Sequence, residues 1–170
     1  MRKVLMLVIV LLALSIIVPG IVNATATRSE FTGSFSMTAT ALGDLYFLKS
    51  GIMRQVGVEA SGDVVSSDER ATGVLSIVLN AIVNLNTGEG VAFGSFTLTN
   101  DGGAFEGRFT VKDTDYILFE GTLEGHGTGG YEGLLLKLEM TGTDWYRDAD
   151  PATNGINAET VGYILSAHGA

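Results

Sequence analysis

The sequence predicts an all-β protein: an antiparallel up-and-down barrel of about eight strands, preceded by an N-terminal hydrophobic signal helix. Three observations predict it. Runs of alternating apolar and polar residues recur at hairpin spacing from Glu30 to His168. No clear amphipathic helix interrupts them. Gly33, Gly94, Gly107 and Gly121 fall within strands on the same face as the phenylalanines, where bends let a sheet close. A β-sandwich with glycine bulges is the alternative.

The first residues read as an export signal. Arg2 and Lys3 form a basic start, and Val4 to Val18 is apolar apart from Ser15. This run of about 15 residues is shorter than the ~20 a spanning helix needs. Pro19-Gly20 breaks any helix, and small residues at Val22-Asn23-Ala24 offer a cleavage site. The expected division is a signal peptide over 1–24 and one barrel domain over 25–170. That implies a secreted or extracytoplasmic protein that touches a membrane only if the signal segment stays uncleaved. The chain has no cysteine, so it carries neither a disulfide nor a thiol for lipid attachment.

Glu30 to Leu42 alternates Phe31, Gly33, Phe35, Met37 and Ala39 against a Thr/Ser face, as a half-buried strand does. Leu45-Tyr46-Phe47-Leu48 is a short apolar run, either a brief strand or a loop over a barrel end. Ile52 to Ala60 reads as a strand, and Ser61 to Arg70 as a polar loop with a weaker strand at Val64-Val65. Val74 to Leu85 is apolar on both faces and rich in β-branched residues, which favours a long strand. Its outer face needs cover from a loop, a helix or another subunit.

A meander follows from Phe93 to Met140. Phe96 and Leu98, then Phe105, Phe109 and Val111, then Ile117, Phe119 and Leu123, then Leu134 to Met140 each hold one face of a strand. Turns are expected at Asn100–Gly103, Asp113–Asp115 and Gly125–Gly130. Two of these turns carry the same phrase, Gly103-Ala104-Phe105-Glu106-Gly107 and Gly129-Gly130-Tyr131-Glu132-Gly133. Gly142 to Glu159 lacks strand character, and Thr160 to His168 closes the chain with Val161, Tyr163 and Leu165 on one face.

Composition excludes some functions. The net charge of −9 becomes −11 once the two basic leader residues are removed. Such a surface repels nucleic acid, and no basic patch with interleaved aromatics offsets it. His126 and His168 stand far apart with no partner base or cysteine, so neither a nucleophilic triad nor a zinc site is expected. Glu106 and Glu132 point away from the phenylalanine face, toward solvent, and are expected to pair with Arg108 or Lys137. No catalytic residue is assigned.

Binding residues are better defined. Phe35, Phe96, Phe105, Phe109 and Phe119 would line the inside, as a cavity for an apolar ligand or as packing. The loop after Met140 holds Trp145, Tyr146 and Arg147, which either form the lip of a pocket or plug the barrel end. In the same loop Asp144, Asp148 and Asp150 offer the hard oxygens that calcium prefers. Their spacing departs from the EF-hand pattern, and no other cofactor is implied.

The run Gly127-Thr128-Gly129-Gly130-Tyr131-Glu132-Gly133 resembles the allene oxide cyclase and dirigent-like barrel superfamily, in which a Gly-Thr-Gly-x-aromatic-x-Gly phrase opens a late strand. The resemblance covers this phrase, its echo at Gly103–Gly107 and the eight-strand plan. It implies a secreted or organellar barrel, often trimeric, with an apolar cavity that guides a small hydrophobic molecule. No catalytic residue of that superfamily has a counterpart in this chain. Three functions follow as expectations. The first is a non-enzymatic barrel binding a small apolar ligand or a protein partner. The second is a cell-surface or envelope protein that self-associates through Val74–Leu85, and the third is a dirigent-like isomerase or cyclase.

Overall fold

Alternation along the chain becomes nine strands: β1 (Thr27–Ala41), β2 (Asp44–Phe47), β3 (Ile52–Ser66), β4 (Gly73–Asn84), β5 (Gly90–Asn100), β6 (Gly103–Thr114), β7 (Leu118–Gly129), β8 (Leu134–Trp145) and β9 (Gly155–Ser166). This computed structural model describes residues 26–114, 118–145 and 151–166. The expected signal segment, and Ala167 and His168, lie outside them. Neighbours run in the order β1-β9-β8-β7-β6-β5-β4-β3, and β3 pairs back onto β1. All pairings are antiparallel, so eight strands close into a barrel. β2 is additional and lies against the early part of β3.

The inner face is set by what fits opposite each large side chain. Phe96 faces Gly107, and Gly94 faces Phe109. Phe105 faces Gly127, Phe119 faces Gly142, and Phe31 faces Gly162. The Phe119 ring would lie 2.6 Å from a β-carbon placed on Gly142, and the Phe96 ring 2.6 Å from one on Gly125. A β-carbon on Gly107 would strike the Glu124 carbonyl oxygen of the next strand. The glycines therefore leave room both for the rings and for close backbone approach. The five predicted lining residues, Phe35, Phe96, Phe105, Phe109 and Phe119, are all buried in this core with Met37, Leu136 and Ile164.

Several sequence expectations change. The weaker strand expected at Val64-Val65 is continuous with Ile52–Ala60, and Ser61–Asp63 is strand rather than loop, because both β1 and β4 pair with it while Gly62 and Val64 face inward. Gly125–Gly129 is also strand; these glycines stack against Gly107–Gly103 of β6, and the turn comes after them. Strand character extends into the Gly142–Glu159 segment from both sides, to Trp145 and from Gly155. In β9 the apolar residues Val161, Tyr163 and Leu165 face outward. The inner positions opposite Phe35, Gly33 and Phe31 go to Ala158, Thr160 and Gly162.

β2 arises from a break in β1. Gly43 has φ +62° and Gly57 has φ +74°, conformations that glycine adopts without strain. The register of β3 shifts at Gly57, and β1's line along β3 resumes as β2. β2 thus lies at the edge of the sheet, beside the part of β3 that β4 pairs on its other side.

Replacing Phe105, the most buried ring, with alanine is expected to lower stability by about 3–5 kcal/mol. Gly107→Ala is expected to cost about 1–3 kcal/mol by overpacking, and urea melts of both variants measure the losses.

Candidate functional site

The barrel has two different ends. The end formed by the β5–β6 and β7–β8 turns is sealed. Tyr131 stacks on Phe105 with ring centroids 5.1 Å apart. Its hydroxyl donates to Asn100 Oδ1 at 2.6 Å. Asn100 Nδ2 in turn donates to the carbonyl oxygens of Thr72 at 2.7 Å and Glu69 at 3.2 Å. These carbonyls flank a short 3-10 turn, Glu69–Ala71, whose Ala71 side chain is buried in the core. Asp68 caps that turn and holds Arg70 at 2.6 Å, and the guanidinium keeps the Asp68 carboxyl below its ordinary pKa. The paired phrase is thus a seal: its aromatics, Phe105 and Tyr131, stack under one turn. Asn100 is the keystone that sequence reasoning missed, and its only trace was the Asn100-Asp101-Gly102-Gly103 turn.

The glutamates of that phrase, Glu106 and Glu132, are exposed as expected. Lys137 pairs with Glu124 instead, at 2.6 Å. Register explains the correction: Lys137 lies directly opposite Glu124, whereas Glu106 lies opposite His126 and Thr97.

The opposite end is where the expected pocket lip and calcium ligands would fall. β8 ends on Asp144 and Trp145, paired with Ile156 and Gly155. Tyr146, Arg147, Asp148 and Asp150 lie outside the described residues. Among the described residues, no three His, Asp or Glu side chains are grouped to hold a metal. Asp113 is the carboxylate at this rim. It occupies an inward position between Gly90 and Phe119, and burial pushes its pKa up.

The outer wall carries the exposed apolar surface. Val74, Val78 and Ile82 of β4 are 48%, 46% and 41% exposed. The cover expected for this face is therefore not supplied by the described residues. Phe93 of β5 is also exposed, directly across from Asn80 on the same outer face. Beyond it, Leu45, Tyr46, Phe47 and Leu48 are exposed along and just after β2. On the far side of the barrel, two open hollows of about 480 and 590 Å³ lie over β1, β9 and β8, the second reaching Asp63 and Val65 of β3. The first is lined by charged and aromatic side chains, among them Arg28, Glu30, Lys137 and Tyr163, with the Arg28 guanidinium 3.9 Å over the Tyr163 ring. Both are open to solvent, with the core residues Phe31 and Leu138 among the lining of the first and Phe35 and Ala158 among that of the second.

Fold and surface together define a closed β-barrel with a buried apolar core, one sealed end and apolar side chains exposed on the outer wall. No protein-family model and no curated protein matches the chain.

The two shifted carboxyls have opposite effects on stability. The Asp68 pKa is lowered in the fold, so its contribution is present above the unfolded pKa and is lost as pH falls through the folded value. The Asp113 pKa is raised, so its contribution is present below the unfolded pKa and is lost as pH rises through the folded value. Asp113→Asn is therefore expected to raise the melting temperature at about pH 7 and leave it nearly unchanged at about pH 3. Tyr131→Phe is expected to cost about 1 kcal/mol through loss of its bond to Asn100, as measured by denaturant melts.

Proposed function

We propose that this protein is an exported, non-enzymatic barrel that works through its outer wall by associating with protein surfaces, most directly with other copies of itself through β4. The observation that carries this is the exposed Val74, Val78 and Ile82 row, flanked by Phe93, on a barrel whose interior is already packed. Val74, Val78 and Ile82 alternate with Ser76 and Asn80 along the outer face of β4, and apolar side chains grouped on a wall are suited to contact with another surface. The basic start and apolar run of residues 1–18 support export. The allene oxide cyclase and dirigent resemblance adds the expectation of a multimer.

The ligand-carrier expectation draws less support. A small apolar guest inside the barrel would have to part rings that pack against one another and against facing glycines. Catalysis finds no support either, since the inner wall holds no constellation of base and nucleophile among the described residues. Its buried polar groups are Asn154 and Thr160.

The test is sedimentation of the exported protein. The native chain is expected to associate at micromolar concentration. Val78→Asp combined with Ile82→Asp is expected to weaken that association with an unchanged circular dichroism spectrum, because both side chains point to solvent. A native chain that stays monomeric at high concentration refutes the proposal.

A further inference from the structure

β2 is the open edge of the sheet. Leu48 N–H donates to the Ile52 carbonyl at 2.8 Å, and β2 keeps this register along β3. In an antiparallel pair, hydrogen-bonded residues alternate, so Tyr46 and Asp44 also bond β3. Leu45 and Phe47 then direct their N–H and C=O groups away from β3, and no partner meets them among the described residues. The side chains at this edge are exposed as well, with Phe47 at 69%. Folded proteins usually guard such an edge with lysine, proline or a bulge. β2 is short, at four residues, but Leu45–Leu48 carries neither lysine nor proline.

We infer that β2 is a self-pairing edge: two copies join their β2 strands antiparallel about a two-fold axis at Tyr46, making one continuous sheet across two barrels. The inference rests on the association proposed above and names a specific contact for it.

The geometry selects this occupant and this register. A two-fold axis perpendicular to a sheet keeps each face continuous, so opposed residues must come from the same face. Leu45 and Phe47 share the inner-side face and Tyr46 the outer one, by their pairing with Gln55, Met53 and Arg54. Centring the axis on Tyr46 sets Leu45 against Phe47 of the other copy and Phe47 against its Leu45. These are the residues with free edge donors and acceptors, so about four hydrogen bonds form across the axis. Asp44 then faces Leu48, and no like charges oppose each other. The charges around β2, Asp44, Lys49 and Arg54, sum to +1 on a chain of net −9, so the edge is free of the repulsion that acts elsewhere between copies.

Because the chain has no cysteine, single cysteines report the register directly. Across the axis the two Tyr46 positions would have Cα atoms roughly 4.5 Å apart, within the range of a disulfide. The two Asp44 positions would stand about 13 Å apart, beyond it. Tyr46→Cys is expected to give a disulfide-linked dimer under mild oxidation at micromolar protein, and Asp44→Cys is not. Leu45→Pro removes one edge-facing N–H while sparing every β2–β3 bond, a change that edge strands tolerate. It is expected to weaken the dimer at least about tenfold, with an unchanged thermal melt, since each copy loses a donor. Equal cross-linking of Tyr46→Cys and Asp44→Cys overturns the inference. It also fails if the native chain associates, Val78→Asp disrupts that association, and neither Tyr46→Cys cross-linking nor Leu45→Pro has an effect; the β4 proposal then survives. A native chain that is monomeric throughout overturns both.

Discussion

The constraint on which the structure depends is the matching of ring to glycine across neighbouring strands. Eight strands enclose an interior just wide enough for side chains to fill. Phe31, Phe96, Phe105, Phe109 and Phe119 are too large to sit opposite equally large residues in so narrow a space. Each of four of them instead faces Gly162, Gly107, Gly127 or Gly142, and Phe109 faces Gly94 on one side and Leu123 on the other. The missing β-carbons also let adjacent backbones approach closely, which is how strands coil tightly enough to close. Strand weakness at glycine and bulk at phenylalanine are therefore two halves of one device.

Once the inside is filled in this way, the remaining features are distributed over the ends and the wall. One end is sealed by hydrogen bonds that converge on Asn100 and by the Phe105–Tyr131 stack. At the other, β1's line along β3 resumes as β2. A barrel normally abolishes sheet edges. This one restores a short edge by bending the chain at Gly43 and Gly57, and sets apolar residues on it. The outer face of β4 and the β2 edge thus leave apolar side chains to water, as do Val65, Leu118, Leu135 and Val161 elsewhere on the wall.

Much of this was legible along the chain. Alternation located β1, β5, β6 and β8 because side chains of a strand have period two, whatever the partner strand, and β-branched content located β4. The glycines on the phenylalanine face indicated closure. Legibility failed where the signal depends on a partner. Ser61–Asp63 and Gly125–Gly129 look like loops by composition, yet β1 and β4 pair the first on both sides and β6 pairs the whole of the second. Val161, Tyr163 and Leu165 form an apolar row, but register with β1 turns that row outward. Asn100 resembles an ordinary turn residue until Thr72 and Tyr131 are brought beside it.

The sequence by itself determined the fold class, the inward faces of most strands and the absence of cysteine chemistry, because these follow from residue type and a local period. Only the tertiary structure decided which glycine faces which ring, that Tyr131 and Asn100 seal one end, and that β2 ends as an edge with Leu45 and Phe47 turned away from β3. Those features are set by register between strands distant in sequence. Register is a property of pairs, and no single strand carries it.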